Sequence, residues 1–424
     1  MAAAFRKDLQ YYKFCLYGFL KNLRFFEPFL YLFFLEKGLT FLQIGTLITV
    51  REITRNLLEI PTGILADSFG RRKTMILSFV FYIGSFLIFY FTSGFVIFII
   101  AMLFYSFGDA FRTGTHKAMI FEYLKIRGWE EQKVHYYGHT RSASQLGSAV
   151  SSLLAAAIVF YTGNYGLIFL FTGIPYFLDL LLMISYPKEL DGPAVGLDRT
   201  GIKRNFKKIL GEVINSFKNS VLIKSISNVS IYSGYYQATK DYLQPVLQAI
   251  ATGLALHLGM QGEKATAILV GLIYFLLYFL TSFASRNSGK LADFFRNLRT
   301  PLNISLVTGL VIGAVAGLCS TGSATIVVIL SIVLFIGIYI TENIRKPIGI
   351  GYITELLNKD ILATVLSTES QIKSLYAALL APLLGFFADK YGIGIAMIII
   401  SSLVLVIVPL ILIREGRKVK NTGA

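Results

Sequence analysis

Ionisable side chains recur at helical spacing inside long apolar runs of this sequence. Arg51, Arg55 and Glu59 follow at i, i+4 and i+8, and Asp109, Arg112 and His116 at i, i+3 and i+7, so each set forms one polar stripe on a helix. Lys21, Arg24 and Glu27 climb by threes towards Pro28. A charge among apolar residues is expensive unless it meets a partner, water or a charged ligand, which makes such groups the first candidates for chemistry. The cations in the apolar runs are Lys21, Arg24, Arg51, Arg55, Arg112, Lys117, Arg141, Lys224, Lys240, Arg345, Lys346 and Lys373; with them stand Glu27, Glu52, Glu59, Asp109, Asp179, Asp241, Glu342 and Glu369. Internal pairing is one reading of any single residue: Arg51 or Arg55 with Glu52, Asp109 with Arg112, Glu369 with Lys373. Even complete pairing leaves positive charge over, and a bare buried cation is costly, so the surplus is expected to meet something anionic or wet. On that view Arg24, Arg51, Arg55, Arg112 and Lys373 bind an anionic or zwitterionic ligand, while Glu27, Asp109, His116 and Glu369 carry protons. Lys224 and Arg141 lie near run ends and are expected to snorkel. Tyr232, Tyr235, Tyr236 and Tyr242 cluster ahead of Gln244-Pro245. A proline there is expected to break the helix and free carbonyls, which adds Tyr235, Tyr236, Lys240 and Gln244 to the candidate binding residues.

Other chemistries find little footing. His135 and His139 are spaced i, i+4, but with only Glu130 and Glu131 nearby no metal site is expected. There is no phosphate-binding loop and no nucleophile elbow, so neither catalytic residues nor a cofactor are expected, and the chain is not read as an enzyme.

The elements that position these groups follow from composition. Of 424 residues, 55% are hydrophobic, too many for a soluble domain and suited to a bilayer, which a helix crosses with about 20 apolar residues. Twelve spans are expected, at 13–35, 40–66, 74–92, 95–122, 137–161, 166–186, 219–250, 265–284, 302–320, 324–353, 361–387 and 393–413. The net charge of +16 would suggest nucleic acid in a soluble protein, but the charge lies on one side. With both termini inside, the inner loops and tails hold 25 Lys or Arg and the outer loops three, Lys37, Lys264 and Lys390. That asymmetry reports topology: a multi-pass protein of the inner (plasma) membrane with cytoplasmic termini and no nucleic-acid partner. The first span is expected to be retained, because no small-residue cleavage site follows it. Cys15 and Cys319 sit towards opposite ends of their spans and are not expected to bridge.

An internal repeat organises the spans. Gly63-Ile64-Leu65-Ala66-Asp67 after the second span returns as Gly289-Lys290-Leu291-Ala292-Asp293 after the eighth, an offset of 226 residues, and the same offset maps Tyr165-Gly166 onto Tyr391-Gly392. Two six-helix halves are expected, 1–190 and 219–424, joined by a basic linker at 191–218. The short loop Gly63 to Lys73, with Asp67, Gly70, Arg71 and Arg72, resembles the signature loop of the major facilitator superfamily; the copy from Gly289 lacks the second glycine, having Arg296 in its place. The resemblance implies an all-α transporter that rocks its halves about a central site lined by the first, fourth, seventh and tenth spans. It also implies a conformational latch made of Gly63, Asp67, Gly70, Arg71, Arg72 and Asp293. The implied function is secondary active transport of a small organic solute coupled to protons, by a monomer surrounded by membrane lipids. Export of amphipathic drugs is the alternative, and it loses support because Ala110 stands where the family often has an Arg before Gly114, and no Gly-Pro pair occurs in the fifth span.

Overall fold

The computed structural model describes residues 6–191, 220–295, 297–322, 324–355 and 362–413, and within them every regular element is a helix. In the amino-terminal part these are α1 (Leu9–Lys21), α2 (Leu30–Glu36), α3 (Phe41–Phe69), α4 (Arg71–Phe91), α5 (Phe95–Arg112), α6 (Thr115–Ile126), α7 (Lys133–Thr162) and α8 (Leu167–Ile184). After the expected linker, of which 192–218 lie outside the described residues, follow α9 (Ser220–Thr239), α10 (Leu243–Leu258), α11 (Gly262–Phe294), α12 (Arg299–Ser320), α13 (Thr325–Glu355), α14 (Leu362–Tyr391) and α15 (Ile393–Ile411). Nine helical stretches among the described residues are long and apolar enough to cross a membrane, at the places of the third to sixth and the eighth to twelfth expected spans.

The first, second and seventh expected spans are helical but differ in kind. The 29-residue α3 is long enough and carries Arg51, Glu52, Arg55 and Glu59 in its middle. The first span is interrupted: α1 ends at Lys21, a short 3₁₀ turn holds Glu27–Phe29 with Pro28 inside it, and α2 resumes at Leu30. Within a bilayer the freed backbone groups need partners from the protein. Gln244 supplies them, since its Nε2 donates to the Glu27 carbonyl at 2.9 Å and its Oε1 accepts from the Tyr31 amide at 2.8 Å. Those two groups would bond each other in a continuous helix; the amide of Gln244 bridges them instead. The seventh span breaks one step before the expected place, at a 3₁₀ turn over Lys240–Tyr242, and Pro245 falls in the first turn of α10, where its missing N–H is not needed. The Lys240 carbonyl accepts from Tyr339 Oη at 3.1 Å.

Packing divides the chain into two compact units, Met1–Ile202 with Gln244–Phe279, and Lys203–Leu243 with Leu280–Ala424. Inside the first, α4 packs on α5 and α8, and α1 on α7; inside the second, α12 packs on α13 and α15, and α9 on α14. Counted in spans, the third meets the fourth and sixth and the first meets the fifth, and the same pairing returns six spans later. The same pattern of helix contacts thus occurs in both units. Lipid gives helices little hydrophobic reason to associate, so shape must do it. In the first unit the ring of Phe169 meets those of Phe33 and Phe89 at 4.6 and 4.8 Å. Both cysteines are free thiols.

Candidate functional site

Gly114 sets the geometry of the charged region. With φ at +79°, a conformation suited to glycine, it separates α5, which ends at Arg112, from α6, which begins at Thr115. His116 therefore leaves the stripe that a continuous helix would share with Asp109. Its ring stacks on Tyr17 of α1 with centroids 3.6 Å apart, and its Nε2 lies 3.2 Å from Tyr186 Oη.

The break opens a cavity of about 260 Å³ within the first unit. It is lined by Tyr17 and Lys21 from α1, Arg112 from α5, His116 and Lys117 from α6, and Tyr137, Thr140, Arg141 and Ser144 from α7. Four of these are cations, and none of the described lining residues is a carboxylate. Arg112 is held in place from behind: its Nη2 pairs with Asp109 Oδ1 at 3.2 Å, its Nε donates to Tyr82 Oη at 3.0 Å, and that hydroxyl donates to Asp109. Asp109 thus satisfies part of the guanidinium while the rest faces the cavity. The Lys117 ammonium lies 5.2 Å from the Tyr137 ring centroid, a cation–π contact that orients it without neutralising it. Among the described residues no carboxylate pairs with Lys21, Lys117 or Arg141.

The other expected site residues are distributed as follows. Arg51 and Arg55 both bind the fully buried Glu52, at 3.1 and 2.6 Å, so the pairing alternative describes them. Arg24 lies in the break after α1 and its Nε is buried without a hydrogen-bond partner. Glu27 lends its carbonyl to Gln244, whose amide is committed to the same break. Tyr235, Tyr236, Lys240, Lys373 and Glu369 belong to the second unit. There Tyr235 Oη shares a hydrogen bond with Ser401 at 2.7 Å, Tyr236 meets Tyr339 edge-on at 5.1 Å, and Lys240 pairs with Asp241 at 3.0 Å. Lys373 and Glu369 are one turn apart on α14, and the Glu369 carbonyl accepts from Ser230. Arg345 is 2% exposed and enclosed by neutral acceptors: the Asn228 carbonyl at 2.9 Å, Ser305 Oγ at 2.8 Å and the Leu302 carbonyl. Of the expected residues, Asp109, Arg112 and His116 come together around the cavity. Lys21, Lys117 and Tyr137 also line it although no role was expected of them, and so does Arg141, which was expected only to snorkel. The surplus of cations over acids was the signal for Lys21, Lys117 and Arg141; no feature of the sequence singled out Tyr137.

The Gly63 to Lys73 loop is a tight joint between α3 and α4. Gly70 has φ +100°, and a Cβ there would sit 2.8 Å from the Asp191 carboxyl. Asp191 Oδ1 accepts the Arg72 amide at 2.8 Å, an anion at the amino terminus of α4 where the helix dipole favours it. Arg72 Nη1 donates to the Tyr186 carbonyl at 3.0 Å and Arg71 pairs with Glu122 at 3.4 Å. The expected latch thus has a partner that the motif does not contain, Asp191. The Asp67 side chain and Arg296 lie outside the described residues; Gly63 and Asp293 lie within α3 and α11.

The chain resembles known proteins along nearly its full length. YxaM of Bacillus subtilis (strain 168), described as an uncharacterized MFS-type transporter, is 22% identical over 404 residues, covering 93% of this chain and 92% of its own. The crystal structure of the nucleoside transporter NupG superposes with a TM-score of 0.71 at 12% identity, over 95% of this chain and 96% of that one. A POT family transporter in complex with 5-aminolevulinic acid gives 0.69 at 16% identity, over 95% and 96%. At such identities the structures speak for the fold. The profile of the Major Facilitator Superfamily itself matches residues 15–368, and the chain belongs to that superfamily of membrane transporters.

Proposed function

We propose that this transporter moves a small anionic or zwitterionic organic solute by alternating access, with protons as the coupling ion. The observation that carries the proposal is the cavity of the first unit, with Lys21, Arg112, Lys117 and Arg141 in its wall and no carboxylate among its described lining residues. Arg112, pre-oriented by Asp109 and Tyr82, offers the fork geometry that suits a carboxylate or phosphate, and the lysines add point charge. Thr140, Ser144 and Tyr137 supply neutral hydrogen-bonding groups. The volume equals that of about nine waters, which fits a metabolite-sized solute. The solved complex of a similarly folded transporter with 5-aminolevulinic acid agrees with a small charged solute. Asp109 competes with such a solute for Arg112, so Asp109 and His116, together with Glu27 and Glu369, are the proton carriers in this proposal. The lining is unsuited to lipophilic cations, which weighs against drug export. Twelve spans in two halves, cytoplasmic termini and a latch at Gly63, Asp67, Gly70, Arg71, Arg72 and Asp293 complete it.

Thermal unfolding of the purified protein against a panel of small anions and amphipathic cations tests this, because a ligand stabilises the state that binds it, by about 2.7 kcal/mol at a hundred times its Kd. Stabilisation by an anion in the wild type, absent in Lys21→Gln and Arg112→Gln, is expected. Stabilisation by amphipathic cations alone would contradict it.

A further inference from the structure

One acid stands apart from all the pairs above. Asp179, the single acid of α8, is 0% exposed, and neither of its carboxyl oxygens has a hydrogen-bond partner. By contrast Glu52 holds two arginines, Asp109 holds Arg112 and Tyr82, Asp241 holds Lys240, and Glu342 accepts from Ser233 at 2.8 Å. The charges that act on Asp179 are Lys21 and Arg112, two of the cavity cations. Tyr17, which lines the cavity, and Tyr186, which meets His116, are within its electrostatic reach. Of the elements packed on α8, α1 carries Tyr17 and Lys21, α4 presents Tyr82, whose ring meets Tyr176 of α8 at 5.1 Å, and α7 presents the apolar Leu154, Ala157 and Ile158 beside Ile174 and Leu178. Tyr176, three residues before Asp179, meets Tyr82, which binds both Arg112 and Asp109, so Asp179 lies behind the cationic wall of the cavity. Among the described residues the other acids that act on these cations are Asp109, already bound to Arg112 and Tyr82, and Glu27, in the break after α1.

A bare carboxylate in such a position is costly, whereas a neutral acid costs far less. Lys21 and Arg112 in turn need negative charge near them whenever no anion lies in the cavity. We propose, resting on the assignment of the cavity to an anionic solute, that Asp179 is a proton-binding site of the transport cycle. It holds a proton while an anion sits on Lys21 and Arg112, and as a carboxylate it replaces that anion as their counter-charge after release. The proton comes from, and returns to, water in the cavity; no other bond is made or broken. Each ligand then favours the other by the same factor, so proton and anion travel in the same direction.

Two measurements on the full-length protein test this, with sulfate as the probe because it does not titrate near neutral pH. In infrared difference spectra at neutral pH, the wild type should show the carbonyl band of a protonated carboxyl that Asp179→Asn removes and Asp179→Glu shifts. In weakly buffered detergent solution, sulfate binding to the wild type should take up protons, and its affinity should fall towards tenfold per pH unit above neutrality, the limit for one linked proton. Asp179→Asn, close in shape to the neutral acid, should bind sulfate with a flat pH profile. Unchanged proton uptake and slope in Asp179→Asn, or an infrared band that neither variant moves, would overturn the proposal. Arg112→Gln separates the two claims: if the wild type binds no sulfate, or Arg112→Gln binds it equally well, the anionic cavity is refuted, and the infrared band alone then decides whether Asp179 holds a proton.

Discussion

Replacing Gln244 by leucine removes the amide that bridges the break in the first span while keeping much of its bulk. Gln244 is 0% exposed, so no water stands ready to take over its two hydrogen bonds. The Tyr31 amide and the Glu27 carbonyl would be left unsatisfied, at about 1–3 kcal/mol each, giving a loss of about 2–6 kcal/mol. At about 2–4 °C per kcal/mol for a unit of this size, the melting temperature of purified Gln244→Leu should fall by at least about 4 °C. Gln244→Glu should be intermediate, because a carboxylate still accepts from Tyr31 but cannot donate to Glu27. Its stability should rise as pH falls, since the protonated acid regains a donor. A Gln244→Leu protein that melts with the wild type would refute the reasoning, because it would mean that Tyr31 and Glu27 re-form their own helical bond.

Gly70→Ala should destabilise the protein by about 1–3 kcal/mol from backbone strain alone; Asp191→Ala in the same chain should relieve the collision with Asp191 but not that strain, which thermal unfolding of the single and double variants will show. Asp67→Asn should slow transport strongly with substrate affinity nearly intact; a large affinity loss at normal maximal rate would contradict a latch. Single cysteines at Ser68 and Lys203, in a chain lacking Cys15 and Cys319, should label only from the cytoplasm and one at Gly262 only from outside, and reversed labelling would overturn the orientation.

Much of the fold is legible in the sequence because bilayer thickness leaves few choices: apolar runs of the right length become helices, and the echo of Gly63 to Asp67 at Gly289 to Asp293 points to the repeated helix pairing. The breaks are less legible. Stripe arguments assume a continuous helix, and Gly114, an ordinary residue by composition, takes a left-handed conformation that carries His116 away from Asp109 and towards Tyr17. Pro245 marks the seventh break only approximately, because proline is tolerated in a first helical turn and the interruption moves upstream to Lys240–Tyr242. Arg141 looks like a residue of a helix end, but α7 begins at Lys133 and packs on α1, so that Arg141, more than two turns inside the helix, forms cavity wall. Asp191 reads as the start of a linker, and its role against Gly70 and Arg72 depends on a contact across 119 positions that no local pattern encodes. Pairing was foreseeable for Glu52 with Arg55, at i+3 on the same face, whereas the isolation of Asp179 shows only once its neighbours are in place.

Solute counterflow in proteoliposomes tests the central claim most directly, using the anion that most stabilises the purified protein. Wild-type liposomes loaded with that anion should transiently accumulate its labelled form above equilibrium. Arg112→Gln should lower its apparent affinity by at least about 30-fold, the effect of about 2 kcal/mol for removing one side of a buried charge contact. No counterflow of any stabilising anion, or counterflow indifferent to Arg112→Gln, would contradict an anion carrier centred on this cavity.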